Sequence, residues 1–372
     1  MSLDLVRIGI IGVGNCARAL VEGVAYYRAH PEDETGLTHP TIGGYTAEDV
    51  EPVAAWDVDA DKVGRSLWDA RAAGQNLDVG IPQDELKPYA QDVTVSRGPV
   101  LDGAGSKYME RISLAEAVDD PATYEAETER IHEEIRAAGV QVLVNYLPVG
   151  SQAATEWWAD VALNTGCAFV NNIPVFIARE PKWRDRFRAA GLPLIGDDIK
   201  SQLGATYVHR VLARAFSDRG ITLDRTYQLN VGGNMDFYNM LEADRLATKR
   251  ESKSGAVTDA YAGTLDPGNV HIGPSDYVAF LGDTKKAFIR CEGRGFAGAP
   301  IEMDVQLTVP DSPNSAGIVI DAVRIAKTAL DRGTPDADQW ASAWLFKAPP
   351  RPVALDSDTE ARRQLDAWLS EA

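Results

Sequence analysis

The sequence predicts an α/β protein that begins with a doubly wound parallel sheet and continues into a smaller, inserted α+β domain. Up to about residue 200, short apolar strands alternate with helix-like segments, as in parallel sheets that helices cover on both faces. Beyond about residue 220, strand-like segments follow one another across Gly-rich turns, which is typical of antiparallel sheets. A long apolar helix with a glycine at its end then follows at 314–333.

The individual elements follow in chain order from the hydrophobic pattern. Buried strands are predicted in the first half at 6–14, 52–59, 92–96, 140–150, 167–172 and 192–196. Helices are predicted between them at 15–29, 60–74, 127–139, 151–166 and 181–191. Further strands are predicted in the second half at 221–233, 276–282, 285–293 and 300–309. The predicted domains are therefore 1–200, 201–310 and a C-terminal segment 311–372 with a Pro-rich stretch and a terminal helix.

Composition limits the partners of the chain. The 372 residues carry 37 Lys and Arg against 55 Asp and Glu, a net charge of −18. Such a chain should repel nucleic acid and anionic lipid, so a small-molecule partner is expected. The sequence has no apolar stretch long enough to span a membrane and no export signal at its start. Its three isolated cysteines fit a reducing compartment, so we expect a cytoplasmic protein.

A glycine motif at the first strand-to-helix turn predicts dinucleotide binding. "GIIGVGNCA" places Gly12, Gly14 and Ala17 in a G-x-G-x-x-A pattern. The first glycine permits the tight turn, the second lets the backbone approach a pyrophosphate, and the small third residue lets the helix pack on the sheet. Because the motif follows a strand and opens a helix, it predicts a Rossmann-type domain.

An acidic residue at the end of the second strand predicts the choice of cofactor. Asp57 closes "AAWD" and lies 40 residues beyond Ala17, where about 20 is usual. The excess matches the polar, turn-rich segment 30–50, which we interpret as an insertion. A carboxylate here accepts from the ribose 2′-hydroxyl and repels a 2′-phosphate, which favours NAD over NADP. Lys62 and Arg65 follow closely, and these two basic residues slightly weaken the prediction of NAD over NADP.

The stretch "LPLIGDDIKSQLGAT" places charged residues where a parallel strand ends. Open α/β sheets bind their ligands at the carboxyl ends of the strands. We expect Ser201 to begin a helix whose free N–H groups hold a phosphate. Asp197 and Asp198 would be poor neighbours for that phosphate, so they should face elsewhere, and capping of the helix is an alternative role for them.

Several long motifs resemble the myo-inositol-1-phosphate synthase family in its shorter bacterial form. They include "NYLPVGS", "NNIPVFIA", "GDDIKSQLGAT", "LNVGGNMDFYN", "KRESKS", "VHIGPSDYVAFLGDTK", "PDSPNSAG" and "WLFKAPP", and they span nearly the whole chain. The resemblance implies NAD-dependent conversion of D-glucose 6-phosphate into 1D-myo-inositol 3-phosphate, the first step of inositol biosynthesis. It also implies a homotetramer formed through the central α+β domain.

The resemblance further implies roles for individual residues. The implied cofactor-binding residues are Gly12, Gly14, Asn15, Cys16, Asp57, Tyr146, Leu147, Pro148 and Asp197, the last beside the nicotinamide. The implied substrate-phosphate ligands are Ser201, Gln202, Asn234 and Lys253. The implied catalytic residues are Lys200, Asp236, Lys249, Lys285, Asp311 and Lys347, with Asp283 close to them. Lys286 has no such match, and we interpret it as a surface residue.

The implied chemistry explains why several lysines would be needed. Oxidation at C5, enolisation at C6, aldol closure on C1 and reduction at C5 each develop negative charge on oxygen, which an ammonium stabilises. Amines crowded together have lowered pKa values, so one can act as a base while its neighbours stay charged. The sequence does not assign the proton transfers to particular lysines. It also leaves open a requirement for a divalent cation or ammonium, since its histidines form no ligand motif.

Two other functions fit the same elements. A two-domain NAD-dependent dehydrogenase of a small hydroxyl substrate would release NADH at each turnover. An NAD-binding sensor would bind the cofactor tightly but would have no activity that depends on Lys249, Lys285 or Lys347. Either would use the same nucleotide-binding domain. The polar, lysine-bearing loops argue against the sensor, and an assay with glucose 6-phosphate and NAD that follows phosphate product and absorbance together separates all three functions.

Overall fold

The computed structural model describes residues 5–84, 86–116, 121–241, 261, 265–273, 276–335, 338–350 and 357–371. The strands are β1 (Val6–Ile11), β2 (Val50–Asp57), β3 (Val95–Arg97), β4 (Val142–Asn145), β5 (Ala168–Asn171), β6 (Leu194–Gly196), β7 (Thr222–Gly232), β8 (Val270–Ile272), β9 (Asp276–Tyr277), β10 (Thr284–Arg294) and β11 (Pro300–Pro310). The α-helices are α1 (Asn15–Ala29), α2 (Leu67–Ala70), α3 (Ser106–Met109), α4 (Pro121–Ala138), α5 (Gln152–Thr165), α6 (Pro181–Ala190), α7 (Ala205–Asp218), α8 (Met235–Asn239), α9 (Asp311–Arg332), α10 (Asp338–Leu345) and α11 (Ser357–Ser370).

The first six strands form one parallel sheet in the order β3-β2-β1-β4-β5-β6. This order reverses between β1 and β4, and it is the order of dinucleotide-binding folds. The residues of β4 and β5 are buried throughout, because helices cover both faces. The structure confirms the predicted Rossmann-type sheet.

Two apolar clusters fill the two faces of this sheet. One cluster joins β1 to α1 and, from the far end of the chain, to α9, whose Val319 and Val323 are fully buried. The other joins β4 and β5 to α5 and α6 through Trp158, Phe169 and Phe187. Helix α9 therefore packs in the core of the first sheet. The domain bounds at 200 and 310 stay a prediction.

The second sheet has the order β11-β10-β7-β8, with β9 pairing separately with β7. Strand β10 runs antiparallel to β7 and β11, as predicted. Strands β8 and β9 run parallel to β7, which the pattern did not predict. Helix α7 covers one face of this sheet, where Ala213 and Phe216 meet Ile289 and Cys291. No described helix is long and apolar enough to cross a membrane.

The helix predicted at 60–74 is wrong for most of its length. Only the four residues of α2 are helical, and Ser66 caps them by accepting from the amide of Asp69 at 3.1 Å. The preceding backbone pairs with the β3 region instead, because Gly64 N donates to Val95 O and Val95 N donates to Arg65 O, each at 2.9 Å. The segment 30–50 is turn-rich before β2, as predicted.

Candidate active site

A cleft opens at the carboxyl ends of β1, β4 and β5 and is closed on its other side by the second half of the chain. Its volume, open mouth included, is about 1290 Å³. Most of the predicted site residues line it, namely Gly14, Asn15, Cys16, Tyr146, Leu147, Pro148, Ser201, Asn234, Asp236, Lys285, Asp311 and Lys347. Residues that are distant in sequence therefore meet at one site.

The glycine turn brings backbone to the edge of this cleft. Gly12 has φ +88°, and a Cβ there would lie 2.9 Å from the carbonyl oxygen of Tyr146. Only glycine meets both conditions without strain. Gly14 precedes α1. Among the described residues, no side chain caps that helix, and apart from the neighbouring backbone no atom lies within 4 Å of the position that a Cβ on Gly14 would take. The helix N-terminus is thus open to an anionic group.

Asp57 holds the glycine turn from below the cleft. Its Oδ2 accepts from the amide of Val13 at 2.7 Å, and its Oδ1 accepts from the amides of Val58 and Asp59 at 2.7 and 2.8 Å. Lys62 Nζ lies 3.8 Å from Asp57 Oδ2. Asp59 and Lys62 line the cleft, whereas Asp57 and Gly12 lie just outside its lining. The role of Asp57 in ribose binding stays a prediction.

Three buried polar side chains in the cleft have no hydrogen-bond partner among the described residues. They are the hydroxyls of Tyr146 and Ser315 and the whole amide of Asn172, both atoms of which are unpaired. Unpaired buried groups are costly, and they are rare without a ligand or water. Asn172 is absent from the predicted site, although the doubled asparagine that ends the apolar segment "CAFVNN" is a signal that could have identified it.

Lys285 projects into the cleft from the start of β10, beside the first residue of α9. Its Nζ donates to Asp311 Oδ1 at 3.1 Å. Burial is the largest single influence and lowers the pKa of Lys285, but the charge and hydrogen bond of Asp311 together with the charges of Asp236 and Asp198 outweigh it, so the net pKa lies above its ordinary value. At neutral pH, Lys285 is therefore an ammonium, suited to stabilising negative charge rather than to removing a proton.

Asp283 links both halves of the chain beneath that pair. Its Oδ1 accepts from Asn15 at 3.2 Å, from Asn234 at 3.1 Å and from the hydroxyl of Ser312 at 2.8 Å. Its Oδ2 accepts from the amide of Ser312 at 3.0 Å. Burial and the nearby Asp311 raise the pKa of Asp283, while these donors oppose the rise. Asp283 thereby holds together α1, α8 and α9.

Asn234 is the N-cap of α8, accepting from the amide of Phe237 at 3.3 Å. Its amide nitrogen donates to Asp311 Oδ2 at 3.2 Å as well as to Asp283. The predicted contact to a phosphate would have to compete with these two carboxylates. Asp236, in the first turn of the same helix, lines the cleft.

Lys347 lines the cleft as well, in addition to Lys62 and Lys285, and it pairs with Asp198. Its Nζ donates to Asp198 Oδ1 at 2.7 Å. The predicted site contained the neighbouring Asp197 instead, which the structure turns away from the cleft. Asp197 is fully buried and accepts from Asn171 and from the amides of Ile177, Ala178 and Arg179. Burial raises the pKa of Asp197 to about 7, although the hydrogen bonds from these donors act in the opposite direction. The same hydrogen bonds hold the loop after β6 in place.

Lys200 and Gln202 also lie outside the lining of the cleft. Lys200 donates to the carbonyl of Ala343 at 2.9 Å and to Asp358. Gln202 packs against Gly317 and donates to the carbonyl of Gly36. The structure thus does not bring these two side chains to the other predicted residues, because the C-terminal helices hold Lys200 and the carbonyl of Gly36 holds Gln202.

The helix predicted to begin at Ser201 begins at Ala205, after the N-cap Gly204. Between them, the amide of Gln202 donates to Asn314 O and the amide of Leu203 donates to Asn314 Oδ1, both at 2.9 Å. These amides are therefore not available for a phosphate. Ser201 itself does line the cleft.

Cys16 lines the cleft as a neutral thiol. Burial, followed by the charges of Asp311 and Asp283, raises the pKa of Cys16 to about 12. Such a thiol is a poor nucleophile, since the thiolate is the reactive form. Lys249 and Lys253 lie outside the described residues. Within the described part of the chain, no group of three His, Cys, Asp or Glu residues could hold a metal ion.

The chain resembles characterised families over its full length. Residues 204–312 match the family described as myo-inositol-1-phosphate synthase. The chain is 50% identical over 370 residues to an inositol-3-phosphate synthase of Mycolicibacterium smegmatis, covering 98% of each chain. It is 49% identical over 382 residues to that of Corynebacterium glutamicum, covering 100% of each. A solved myo-inositol-1-phosphate synthase-related protein from Thermotoga maritima superposes with a TM-score of 0.80 at 25% identity, over 98% of both chains. The resemblance predicted from the motifs is confirmed, and the chain belongs to the myo-inositol-1-phosphate synthase family.

Proposed function

We propose that this protein is an inositol-3-phosphate synthase, which converts D-glucose 6-phosphate into 1D-myo-inositol 3-phosphate with NAD and without net consumption of it. One observation supports this function above the others. Two lysine–carboxylate pairs, Lys285–Asp311 and Lys347–Asp198, line the same cleft as the glycine turn. An ordinary dehydrogenase needs one acid or base at the hydroxyl that it oxidises, whereas enolisation and aldol closure add further oxygen anions to be stabilised.

The two ammonium groups would act at different oxygens of the sugar. They come from different elements, Lys285 from β10 of the second sheet and Lys347 from the segment after α10. A charge that is already aligned by a carboxylate partner needs little reorganisation when an oxyanion forms. Lys285, with its raised pKa, is assigned the role of a charge stabiliser. Asp236, Lys249 and Lys253 complete the proposed catalytic and phosphate-binding set.

The residues present fit NAD. Gly12 and Gly14 leave space at the N-terminus of α1 for a pyrophosphate. The unpaired groups of Tyr146 and Asn172 offer hydrogen bonds where a ligand would enter the cleft. Bound NAD would supply a hydride acceptor and later return that hydride. The glycine turn, Tyr146 and Asn172 would bind and orient the cofactor, and the loops of both halves of the chain would exclude water from it.

Isotope retention tests the proposed function. Glucose 6-phosphate deuterated at C5 is incubated with the protein, NAD and an excess of unlabelled NADH, and the product is analysed by mass spectrometry. We expect inositol phosphate that keeps its deuterium, since the hydride returns to C5 before the cofactor leaves. Absorbance at the NADH band should not rise beyond about one equivalent per site. Continuous NADH release with a ketone or sugar acid as product would replace the synthase by a dehydrogenase.

A homotetramer would also fit the surface of the second sheet. On the face opposite α7, Tyr227, Leu229 and Phe288 are 36%, 41% and 37% exposed. Leu229 and Phe288 are paired across neighbouring strands, so the three side chains form an apolar patch. Contiguous exposed apolar surface of this kind marks an interaction site.

The free cysteines Cys16, Cys167 and Cys291 support a reducing, cytoplasmic environment.

A further inference from the structure

The segment that carries Lys347 is held by the loop that follows β6. Lys347 N donates to Asp198 O at 2.7 Å, and Lys200 N donates to Leu345 O at 2.9 Å. Ala348 N donates to Asp197 O at 3.0 Å. These bonds form a short antiparallel pairing between 197–200 and 345–348, centred on Ile199 and Phe346. The position of the Lys347 ammonium therefore depends on this pairing.

A buried ion cluster lies directly behind the pairing. The Lys200 side chain is 6% exposed and donates to Ala343 O at 2.9 Å, just before the paired segment. Its ammonium also contacts Asp358, from the first turn of α11. The other oxygen of Asp358 accepts from Nε of Arg210 in α7 at 2.8 Å. The carboxylate of Asp358 thus joins three elements, namely the loop after β6, helix α11 and helix α7.

The cluster is stable only while it is complete. A buried ammonium is costly without a partner, and removing one member of a buried pair leaves the other charge uncompensated. The groups that face Lys200 are Asp358 on α11, Arg210 on α7 and Lys347 across the loop. Burial lowers the pKa of Lys200 to about 8, Asp358 opposes this shift, and the two cations add to it. Without Asp358, two cations would remain side by side in a buried place.

We propose that Asp358 is a positioning residue of the active site, and that Lys200 acts through this tether rather than on the substrate. Asp358 holds Lys200, Lys200 holds the carbonyl of Ala343, and the paired segment then presents the Lys347 ammonium beside Asp198. The catalytic part of this proposal rests on the proposed function. The mechanical part, the tether itself, does not.

Substitutions of Asp358 test the proposal with two independent measurements on the full-length protein. Asp358→Asn keeps the shape and removes the charge, and Asp358→Glu keeps the charge. Asp366→Asn is the matched control, because Asp366 lies on the same helix and pairs with His39 rather than with Lys200 or Arg210. Hydrogen exchange is followed in peptides covering 197–201 and 343–348. Turnover is followed as kcat and as KM for glucose 6-phosphate and for NAD.

For Asp358→Asn we expect exchange in these two peptides to become about tenfold faster or more, because the amides of Lys200 and Lys347 lose their rigid partners. We expect kcat to fall by about tenfold to a hundredfold, the cost of a misplaced catalytic group, with KM for both ligands nearly unchanged. Asp358→Glu should restore part of the slow exchange and part of the lost kcat. Asp366→Asn should change neither the exchange rate nor kcat.

Lys200→Met is a second variant, to be used if Asp358→Asn folds poorly. We expect it to lower kcat as well and to leave KM for both ligands nearly unchanged. Complete loss of turnover in Lys200→Met with unchanged exchange would overturn the proposal and make Lys200 catalytic. Wild-type exchange and kcat in Asp358→Asn would overturn it as well. If the wild-type protein makes no inositol phosphate, the proposed function fails, whereas the exchange experiment still decides whether the tether exists.

Discussion

At the scale of single residues, the proposed function assigns the stabilisation of negative charge to Lys285 and Lys347. Lys285→Met or Lys347→Met should lower kcat by about a hundredfold or more, the usual cost of removing a preorganised charge stabiliser. NAD affinity should change little, because neither lysine belongs to the glycine turn. Steady-state kinetics and cofactor titration by fluorescence measure the two effects separately.

Lys286→Met is the matched control for Lys285, since it lies on the same strand and points to the opposite side of the sheet. It should keep wild-type turnover. Circular dichroism accompanies each variant, because Asp311 or Asp198 would lose its partner and stability could fall. Turnover within a few-fold of wild type for Lys285→Met or Lys347→Met would remove that lysine from the catalytic set.

Asp57 should determine the preference between the two nicotinamide cofactors. We expect Asp57→Ala to weaken NAD binding by about tenfold, the cost of a lost hydrogen bond to a charged group, and to weaken NADP binding less. Asp57 also anchors Val13, so part of the loss should be shared by both cofactors. The ratio of the two dissociation constants isolates the ribose effect, with exposed Asp61→Ala as the control. An unchanged ratio would show that Asp57 only supports the turn.

The pair Asp197 and Asp198 marks a limit of prediction from sequence at this scale. The motif placed two carboxylates at the end of β6, and both are at that place. Which of them faces the cleft depends on the turn of the chain and on the segment around residue 347, which lies far away in sequence. The position of Lys200 outside the lining of the cleft could not be predicted for the same reason, since its partner Asp358 comes from the terminal helix.

At the scale of elements, α7 is joined to the second sheet through a buried histidine. The two ring nitrogens of His209 contact Thr226 Oγ1 at 2.7 Å and Gln228 Oε1 at 3.3 Å. Burial lowers the pKa of His209 from 6.5 to about 4, opposed by the bond to Gln228. Between these two values the unfolded chain binds a proton that the folded chain does not, so stability should fall as the pH is lowered from about 6.5 to 4.

Thermal unfolding across that pH range, followed by circular dichroism, measures this effect. One proton corresponds to at most about 1.4 kcal/mol of stability per pH unit. His209→Gln should be less stable at pH 7.5 but should lose less stability on acidification than the wild type. His271→Gln, which alters an exposed histidine of the same sheet, is the control. Parallel pH curves for wild type and His209→Gln would rule out His209 as the source.

Elements with a strong hydrophobic period could be predicted from the sequence, and elements set by distant contacts could not. Strand β4 and helix α9 have the predicted type because burial on all sides and a long apolar period leave few alternatives. The segment 60–74 has an acceptable helical composition, but its backbone bonds to the β3 region. The start of α7 shifted from 201 to 205 because Asn314 takes the amides before it. In both cases a tertiary contact overrides the local pattern.

At the scale of the whole molecule, the order of the first sheet follows from the alternation of strands and helices and from right-handed crossovers. The closing of the cleft by the second half could not be derived in the same way. Asp283 connects Asn15, from the start of the chain, to Ser312, nearly 300 residues later. Only the resemblance to the family indicated that these residues meet. The cleft is therefore formed by both halves of the chain together and by neither half alone.

Self-association through the second sheet is the prediction that belongs to the whole molecule. The patch formed by Tyr227, Leu229 and Phe288 would be buried between subunits, and a charge placed there would have to be buried without a partner. Phe288→Asp should therefore dissociate the tetramer, as measured by sedimentation velocity over a range of protein concentrations. Met109→Asp, which alters a residue that is 45% exposed on the first half, should leave it assembled. If Phe288→Asp sediments like the wild type, the subunits meet on another surface, and a monomeric wild-type protein would remove the homotetramer altogether.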